Sequence, residues 1–401
     1  MNRSFYLLTS GFSRIRQNLG RWGLVLGLGL GGLHTAQAGV MPPAPEIGAK
    51  GYVLMDLTTG QTLADFNSSE RLEPASLTKL MTAYMAFAAL DSKQIRADQQ
   101  VPVSTFAWKA EGSRMFIEPN KPVTVEELLY GVIVQSGNDA SRAIAELLAG
   151  DEANFANLMN QQAKRLGLKN TNFRNATGLP DPQHYTTAKD LAILAAAIIR
   201  DFPEYYGKMY STKEYTYNGI RQPNRNRLLW IDSSVDGMKT GHTEAAGYCL
   251  VSSAQRKLPN GVERRLLAVV LGTTSDQART QESLKLLNYG YQMFETVKLY
   301  GANQAVSDSE VFKGQAKSVK LGSTKDILMN VPRGMAKQLK ASVEKKETLI
   351  APIKAGTQLG TLKLTLDGER VGEVPLVALS NVEEAGLIGR LVDSAKLWFE
   401  E

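Results

Sequence analysis

The sequence predicts an α+β fold, an antiparallel sheet flanked by a helical cluster, joined to a small all-β C-terminal domain. Strand patterns stand at both ends of the first 300 or so residues, and helical patterns fill the middle. After about residue 300 the texture changes to short β-like runs separated by turns. The 401 residues, 43% hydrophobic and 21% charged, are ordinary globular composition at a length suiting two or three domains.

Residues 1–38 stand apart from that fold. Arg3, Arg14, Arg16 and Arg21 form a basic leader before an apolar run from Trp22 to Leu33, and Ala36-Gln37-Ala38 supplies the small residues of a cleavage site. The apolar run is shorter than the roughly 20 residues that span a bilayer, so the segment reads as an export signal and the mature chain begins near Gly39. Gly27-Leu28-Gly29-Leu30-Gly31-Gly32 spells G-x-G-x-x-G inside this leader with no preceding strand, a false nucleotide-binding match. The formal charge of +6 falls to +2 beyond the leader, with 42 basic against 40 acidic residues, and so implies no nucleic-acid partner. Cys249 is the only cysteine, so the core must be held without an internal disulfide. Beyond the leader the only histidines are His184 and His242, which leaves clustered metal ligation and a Ser-His-Asp triad short of candidates.

The elements follow in order. Lys50 to Asn67 reads as a hairpin turning at Thr58-Thr59-Gly60, and an apolar helix from Leu77 to Leu90 follows Pro74. Thr124 and Glu127 have capping-box spacing, with apolar positions continuing to Val134. Ser136-Gly137-Asn138 breaks that helix; further helices fit Asp139 to Ala149, Glu152 to Leu166 and Ala188 to Arg200. Met238 to Thr243, Gly247 to Ser253 and Arg265 to Gly272 are spaced as antiparallel neighbours, and a helix from Gln281 to Val297 packs on them. Short β runs at Ser318–Leu321, Thr348–Ile353, Gln358–Leu366 and Arg370–Ala378 build the C-terminal module. The expected organisation is a signal over 1–38, a catalytic domain over 39–298, a β-rich domain over 299–385 and a terminal helix over 386–401. In that helix Leu387, Ile388, Leu391, Val392, Ala395, Trp398 and Phe399 recur at helical spacing, opposite Arg390, Asp393 and Lys396. It is too short to span a membrane but suited to lie on one. Docking on the β-module is the alternative.

Three motifs carry chemistry. Ser76-Leu77-Thr78-Lys79 puts a hydroxyl and an amine three residues apart at the start of a buried helix, on one face. Burial disfavours the ammonium, so a neutral Lys79 can accept the serine proton. The helix N-terminus favours the developing negative charge. A second S-x-x-K, Ser342 to Lys345, reads as surface. In the helix break, the Ser136 hydroxyl can relay a proton and the Asn138 amide can grip a substrate amide. Lys239-Thr240-Gly241 opens a strand with a positive charge, a hydroxyl and an uncovered edge, fit for a peptide ending in a carboxylate. Each motif alone is weak. His184 reads as surface and Cys249 as core.

S-x-x-K, S-x-N and K-T-G in this order are the set of penicillin-binding proteins and class A β-lactamases. The chain resembles the serine-type D-alanyl-D-alanine carboxypeptidases, low-molecular-mass penicillin-binding proteins, across its mature length. The stretch Asp236 to Thr243 and Asn224-Arg225-Asn226 add to the likeness. The resemblance implies the penicillin-binding/β-lactamase-like transpeptidase fold. It implies Ser76 as nucleophile, Lys79 as base and Ser136 in the proton relay. Asn138, Lys239, Thr240 and Gly241 would hold substrate, with Arg225 at the terminal carboxylate. The backbone N–H groups of Ser76 and His242 would form the oxyanion hole. It implies peptidoglycan stem peptides as substrate, β-lactams as covalent inhibitors, no cofactor, and a place on the periplasmic face of the inner membrane. A β-lactamase would need a deacylating carboxylate, and E-x-x-L-N is absent between Ser136 and Lys239. A D,D-endopeptidase using the same serine, and a non-catalytic wall-binding protein, are the other readings; the latter should have lost a motif residue, and none is lost.

Overall fold

The computed structural model describes residues 41–345 and 348–400; the export signal expected over 1–38 lies outside them. β1 (Gly51–Asp56) and β2 (Thr62–Phe66) form the expected hairpin. A 3-10 turn, Ala75–Thr78, leads into α1 (Lys79–Asp91). α2 (Val125–Tyr130) opens with the capping box of Thr124 and Glu127. It runs on through a π-helical turn, Gly131–Gln135, which ends where Ser136 takes a left-handed conformation at φ 59°. The helices α3 (Asn138–Ala149), α4 (Glu152–Leu166) and α5 (Ala188–Asp201) complete the cluster.

β3 (Val235–Thr243), β4 (Gly247–Lys257) and β5 (Glu263–Thr273) join the hairpin in a five-stranded antiparallel sheet of order β2-β1-β5-β4-β3. The unbroken apolar run in β5 has a physical cause, because both faces of the sheet are covered. Leu267, Val269 and Leu271 enter the core shared with the helical cluster, whereas Leu266, Ala268 and Val270 enter a second core beneath α6 (Asp276–Met293). The helix expected over Gln281–Val297 thus starts and stops earlier. The Ser275 hydroxyl caps it by accepting from Ala278 N, and Phe294–Tyr300 leaves it as a strand, β6.

β6 pairs with β9 (Ile327–Pro332), because Phe294 and Thr296 alternate inward as a strand requires. A second five-stranded sheet has the order β7-β8-β12-β11-β10, with β7 Ala305–Glu310, β8 Ser318–Gly322, β10 Leu339–Lys345, β11 Gln358–Leu366 and β12 Glu369–Ala378. The expected strand over Thr348–Ile353 is absent among the described residues; there Ile350 and Ile353 make only isolated bridges to Phe312 and Val382. Ser342 and Lys345 are exposed on β10. A buried polar junction ties the first sheet to the β6–β9 pair. Asp56 accepts from Arg264 Nε at 2.7 Å and from Asn330 Nδ2 at 2.8 Å, and Asn330 Oδ1 accepts from Thr296 at 2.7 Å. The chain ends in α7 (Leu387–Glu400).

Candidate active site

Ser76 sits half-buried in the 3-10 turn that runs directly into α1, whose first residue is the fully buried Lys79. Lys79 Nζ donates to Ser76 Oγ at 3.0 Å, to Asn138 Oδ1 at 2.7 Å and to the Thr177 carbonyl at 2.6 Å. No carboxylate is among these partners. Burial is the main cause that lowers the Lys79 amine to about 7, helped by the Arg225 guanidinium and opposed by Asp139 and Glu152. Near neutrality much of Lys79 is then free amine beside the serine hydroxyl, the condition for accepting its proton.

The end of the π-helical turn brings in the second motif. Left-handed Ser136 projects from it, and Gly137 leads at once into α3. Asn138 is held from two sides: its N–H donates to the Ser113 carbonyl at 2.7 Å and its Nδ2 to the Glu111 carbonyl at 2.6 Å. The next residue, Asp139, accepts from the N–H groups of Met115, Phe116 and Ile117 at 3.0, 2.8 and 3.2 Å. The carboxylate of α3 thereby clamps the 111–117 segment around Asn138.

The third motif lies on β3, an edge strand. Lys239 is buried and its Nζ donates to Ser136 Oγ at 2.9 Å and to the Thr240 carbonyl at 3.0 Å. Burial, then the charges of Lys79, Arg225 and Arg279, push the Lys239 amine well below its ordinary range. Gly241 suits the close approach of β3 to the nucleophile turn, where a Cβ would lie 3.1 Å from the Pro74 carbonyl oxygen. His242 is exposed and stacks on Tyr248 with ring centroids 3.9 Å apart. Arg225 Nη1 donates to Ser113 Oγ at 2.8 Å. The three motifs, some 160 residues apart in sequence, thus meet as a Ser76–Lys79–Asn138 group and a Lys239–Ser136 pair.

Three participants escaped the sequence reading. Arg279, from α6, donates to the Gly241 carbonyl at 3.1 Å and pairs with Asp276. The segment 175–178 presses on the nucleophile turn: Thr82 Oγ1 donates to the Ala176 carbonyl at 2.7 Å, and Asn175 Oδ1 accepts from Gly178 N at 2.7 Å. Asn175-Ala176-Thr177-Gly178 carries a turn signature that could have drawn attention to it. His184, expected at the surface, is only 3% exposed, and its Nε2 lies 2.9 Å from Thr78 Oγ1. The cause is a backbone bridge between Leu72 and Thr186 that folds this segment across the start of α1. Cys249 is core, at 1% exposure. Among the described residues no group of three or more His, Cys, Asp or Glu could hold a metal ion.

Comparison with known proteins gives the family. The family model described as D-alanyl-D-alanine carboxypeptidase matches residues 37–275. The chain belongs to the D-alanyl-D-alanine carboxypeptidase family. A second model, the C-terminal domain of penicillin-binding protein 5, matches residues 294–384. Among relatives, D-alanyl-D-alanine carboxypeptidase DacC of Escherichia coli is 43% identical over 366 residues, 89% of this chain and 90% of that one. DacA of Haemophilus influenzae is 43% identical over 362 residues, covering 89% and 90%. Penicillin-binding protein 5 from Haemophilus influenzae superposes with a TM-score of 0.81 at 42% identity, covering 86% of this chain and 100% of that structure. Penicillin-binding protein 6B from Escherichia coli gives 0.69 at 38% identity, covering 84% and 97%. As a member of the family the chain is a hydrolase, a serine-type carboxypeptidase with the penicillin-binding fold and an all-β C-terminal domain.

Proposed function

We propose that Ser76 is the nucleophile that removes the terminal D-alanine from peptidoglycan pentapeptide stems and that β-lactams acylate. The observation that carries this is Lys79 Nζ, buried and partly unprotonated near neutrality, 3.0 Å from a half-buried serine hydroxyl. Lys79 takes the proton as Ser76 Oγ attacks the penultimate carbonyl carbon. Ser136, held by Lys239, passes a proton to the leaving amine as the C–N bond breaks. Water then displaces Ser76 and frees a tetrapeptide. The N–H groups of Ser76 and His242 stabilise the oxyanion. Asn138 and Thr240 align the peptide, and the Arg225 guanidinium attracts its carboxylate beside the Lys239 amine. D-alanine release from a purified pentapeptide muropeptide should vanish in Ser76→Ala. A penicillin adduct on that variant, seen by intact mass, would refute the assignment.

The chain acts, on this reading, outside the cytoplasm with α7 on the inner membrane. No helix among the described residues is long and apolar enough to cross a membrane. Leu387, Ile388, Leu391 and Trp398 are nevertheless 74%, 81%, 70% and 75% exposed on α7. Asp393, on the other side, is buried and accepts from Lys313 N at 2.6 Å and Lys317 Nζ at 3.0 Å. The polar side docks and the apolar side is presented outward, the arrangement an interfacial helix needs. Removing residues 386–401 should abolish sedimentation with vesicles and spare hydrolysis of soluble peptide. Unchanged sedimentation would sink the membrane reading.

A further inference from the structure

As a free amine Lys79 has two N–H donors and one lone pair, and the lone pair must face Ser76 to take its proton. Its partners at hydrogen-bond distance are Ser76 Oγ, Asn138 Oδ1 and the Thr177 carbonyl. Asn138 Nδ2 is engaged by the Glu111 carbonyl, so the oxygen of that amide faces Lys79 and only accepts. The Thr177 carbonyl also only accepts. The two N–H groups of the free amine therefore go to Asn138 and Thr177, which leaves the lone pair for the one partner that can donate, Ser76. Where the two acceptors stand decides where the lone pair points.

Behind both acceptors stands one ion pair that the reaction described above does not use. Glu152 opens α4 directly after its Asp151 cap. Its Oε1 accepts from Ala176 N at 3.0 Å, and its Oε2 lies 3.6 Å from Arg142 Nε. The Ala176 carbonyl accepts at 2.7 Å from Thr82, one turn beyond Lys79 on α1. Ala176 is thus held at its N–H and at its carbonyl, and Thr177 follows it directly. Arg142 lies on α3 one turn after Asn138, with its guanidinium 4.1 Å from the Phe106 ring centroid and its Nη1 donating to the Phe106 carbonyl at 3.3 Å. The side chains of the pair are only 16% and 14% exposed. The other charged groups lining the cleft beside Glu152 have their own partners. Glu146 accepts from Ser104 Oγ, Asp151 from Asn154 N, and Arg174 lies 3.8 Å from Asp181.

We propose that Glu152, held by Arg142, is the positioning residue that aims the Lys79 lone pair at Ser76, acting through the backbone of Ala176 and Thr177. The proposal rests on the roles of Ser76 and Lys79 assigned above. A carboxylate suits the post because its bond to the Ala176 N–H is charge-assisted. Its charge has a second effect. Arg225 disfavours the Lys79 ammonium, whereas Asp139 and Glu152 favour it. Lys239 and Lys79 repel each other's charge. Glutamine at position 152 keeps an acceptor oxygen and loses the charge; alanine loses both.

The test is stopped-flow acylation by a β-lactam across pH 5 to 9, in the mature protein and its Glu152→Ala and Glu152→Gln variants. A concentration series separates first binding from acylation. Glu152→Ala should lower the acylation rate on the high-pH plateau roughly 10–100-fold, the scale of a misplaced reacting group, and leave first binding within about twofold. Glu152→Gln should recover the plateau to within about threefold of wild type and move the rise to lower pH, since one charge favouring the ammonium is gone. Thermal melting shows whether each variant is folded at the assay temperature, and Glu152→Gln carries the test if the alanine variant is not. A wild-type plateau and profile in the variants would overturn the proposal. So would a glutamine variant slowed as much as the alanine one with its rise unmoved, the mark of a merely structural carboxylate. A wild type whose acylation does not rise through neutral pH, or that is still acylated as Ser76→Ala, would instead overturn the Ser76 and Lys79 reading, and the positioning role with it.

Discussion

His184 Nε2 and Thr78 Oγ1 are 2.9 Å apart inside the protein, joining the 175–187 segment to the turn that carries Ser76. Thr78 makes no capping bond to α1, so its hydroxyl serves this contact, while His184 Nδ1 is buried without a partner. Burial lowers the imidazole from its ordinary 6.5 to about 4, with Asp181 opposing and Arg174 assisting. The folded state thus resists protonation that the unfolded state accepts. No stability is lost above about pH 6.5, and up to about 3 kcal/mol is lost as pH falls through 6.5 towards 4. Chemical denaturation at pH 7.5 and pH 4.5 should show a smaller pH-dependent loss in His184→Gln, whose amide retains a donor for Thr78. An equal loss in the variant would exclude His184 as its source.

The Lys79 amine, lowered to about 7, sets the acid side of the reaction's pH dependence. The rate of β-lactam acylation should climb through about pH 7 as the ammonium loses its proton. Arg225 is one cause of the lowering, so Arg225→Ala should move the rise to higher pH. Lys79→Arg, which cannot deprotonate, should acylate roughly 10²–10⁴-fold more slowly. Stopped-flow acylation across pH 5 to 9 would read all three.

Gly178 stands where the 175–178 segment meets the nucleophile turn. It has φ +86°, and a Cβ there would lie 1.8 Å from the Ala75 carbonyl oxygen. Gly178→Ala must displace either backbone, which should cost more than about 2 kcal/mol and withdraw the Thr177 carbonyl from Lys79. Thermal melting together with penicillin labelling would show both losses. Gly150→Ala, also at positive φ but with open space around its Cβ, is the control and should be milder.

Asp393 fixes α7 through Lys313 N and Lys317 Nζ. Asp393→Ala removes the acceptor of the part-buried Lys313 N–H and of Lys317 Nζ and should loosen the helix. Limited proteolysis near Gly386 should accelerate, with D-alanine release unchanged. Loss of activity would mean that the C-terminal module bears on the catalytic sheet, through the Asp56–Arg264–Asn330 junction.

The sequence alone determined the motifs, their order, the capping box at Thr124, the central strands, and the amphipathic terminal helix. These follow from local rules: spacing places Lys79 one helical turn from Ser76, and periodicity marks which faces are buried. It also supported lowering of the Lys79 amine, since a charge on an apolar helix must be desolvated. Tertiary structure decided what depends on distant neighbours. β6 became a strand because Ile327–Pro332 offered an edge to pair with, which no local window from Gln281 to Val297 reveals. His184 went inside because the Leu72–Thr186 bridge carried it there. The Thr177 carbonyl and Arg279 joined the site through backbone carbonyls and close approach, which leave no residue-type signature in the chain.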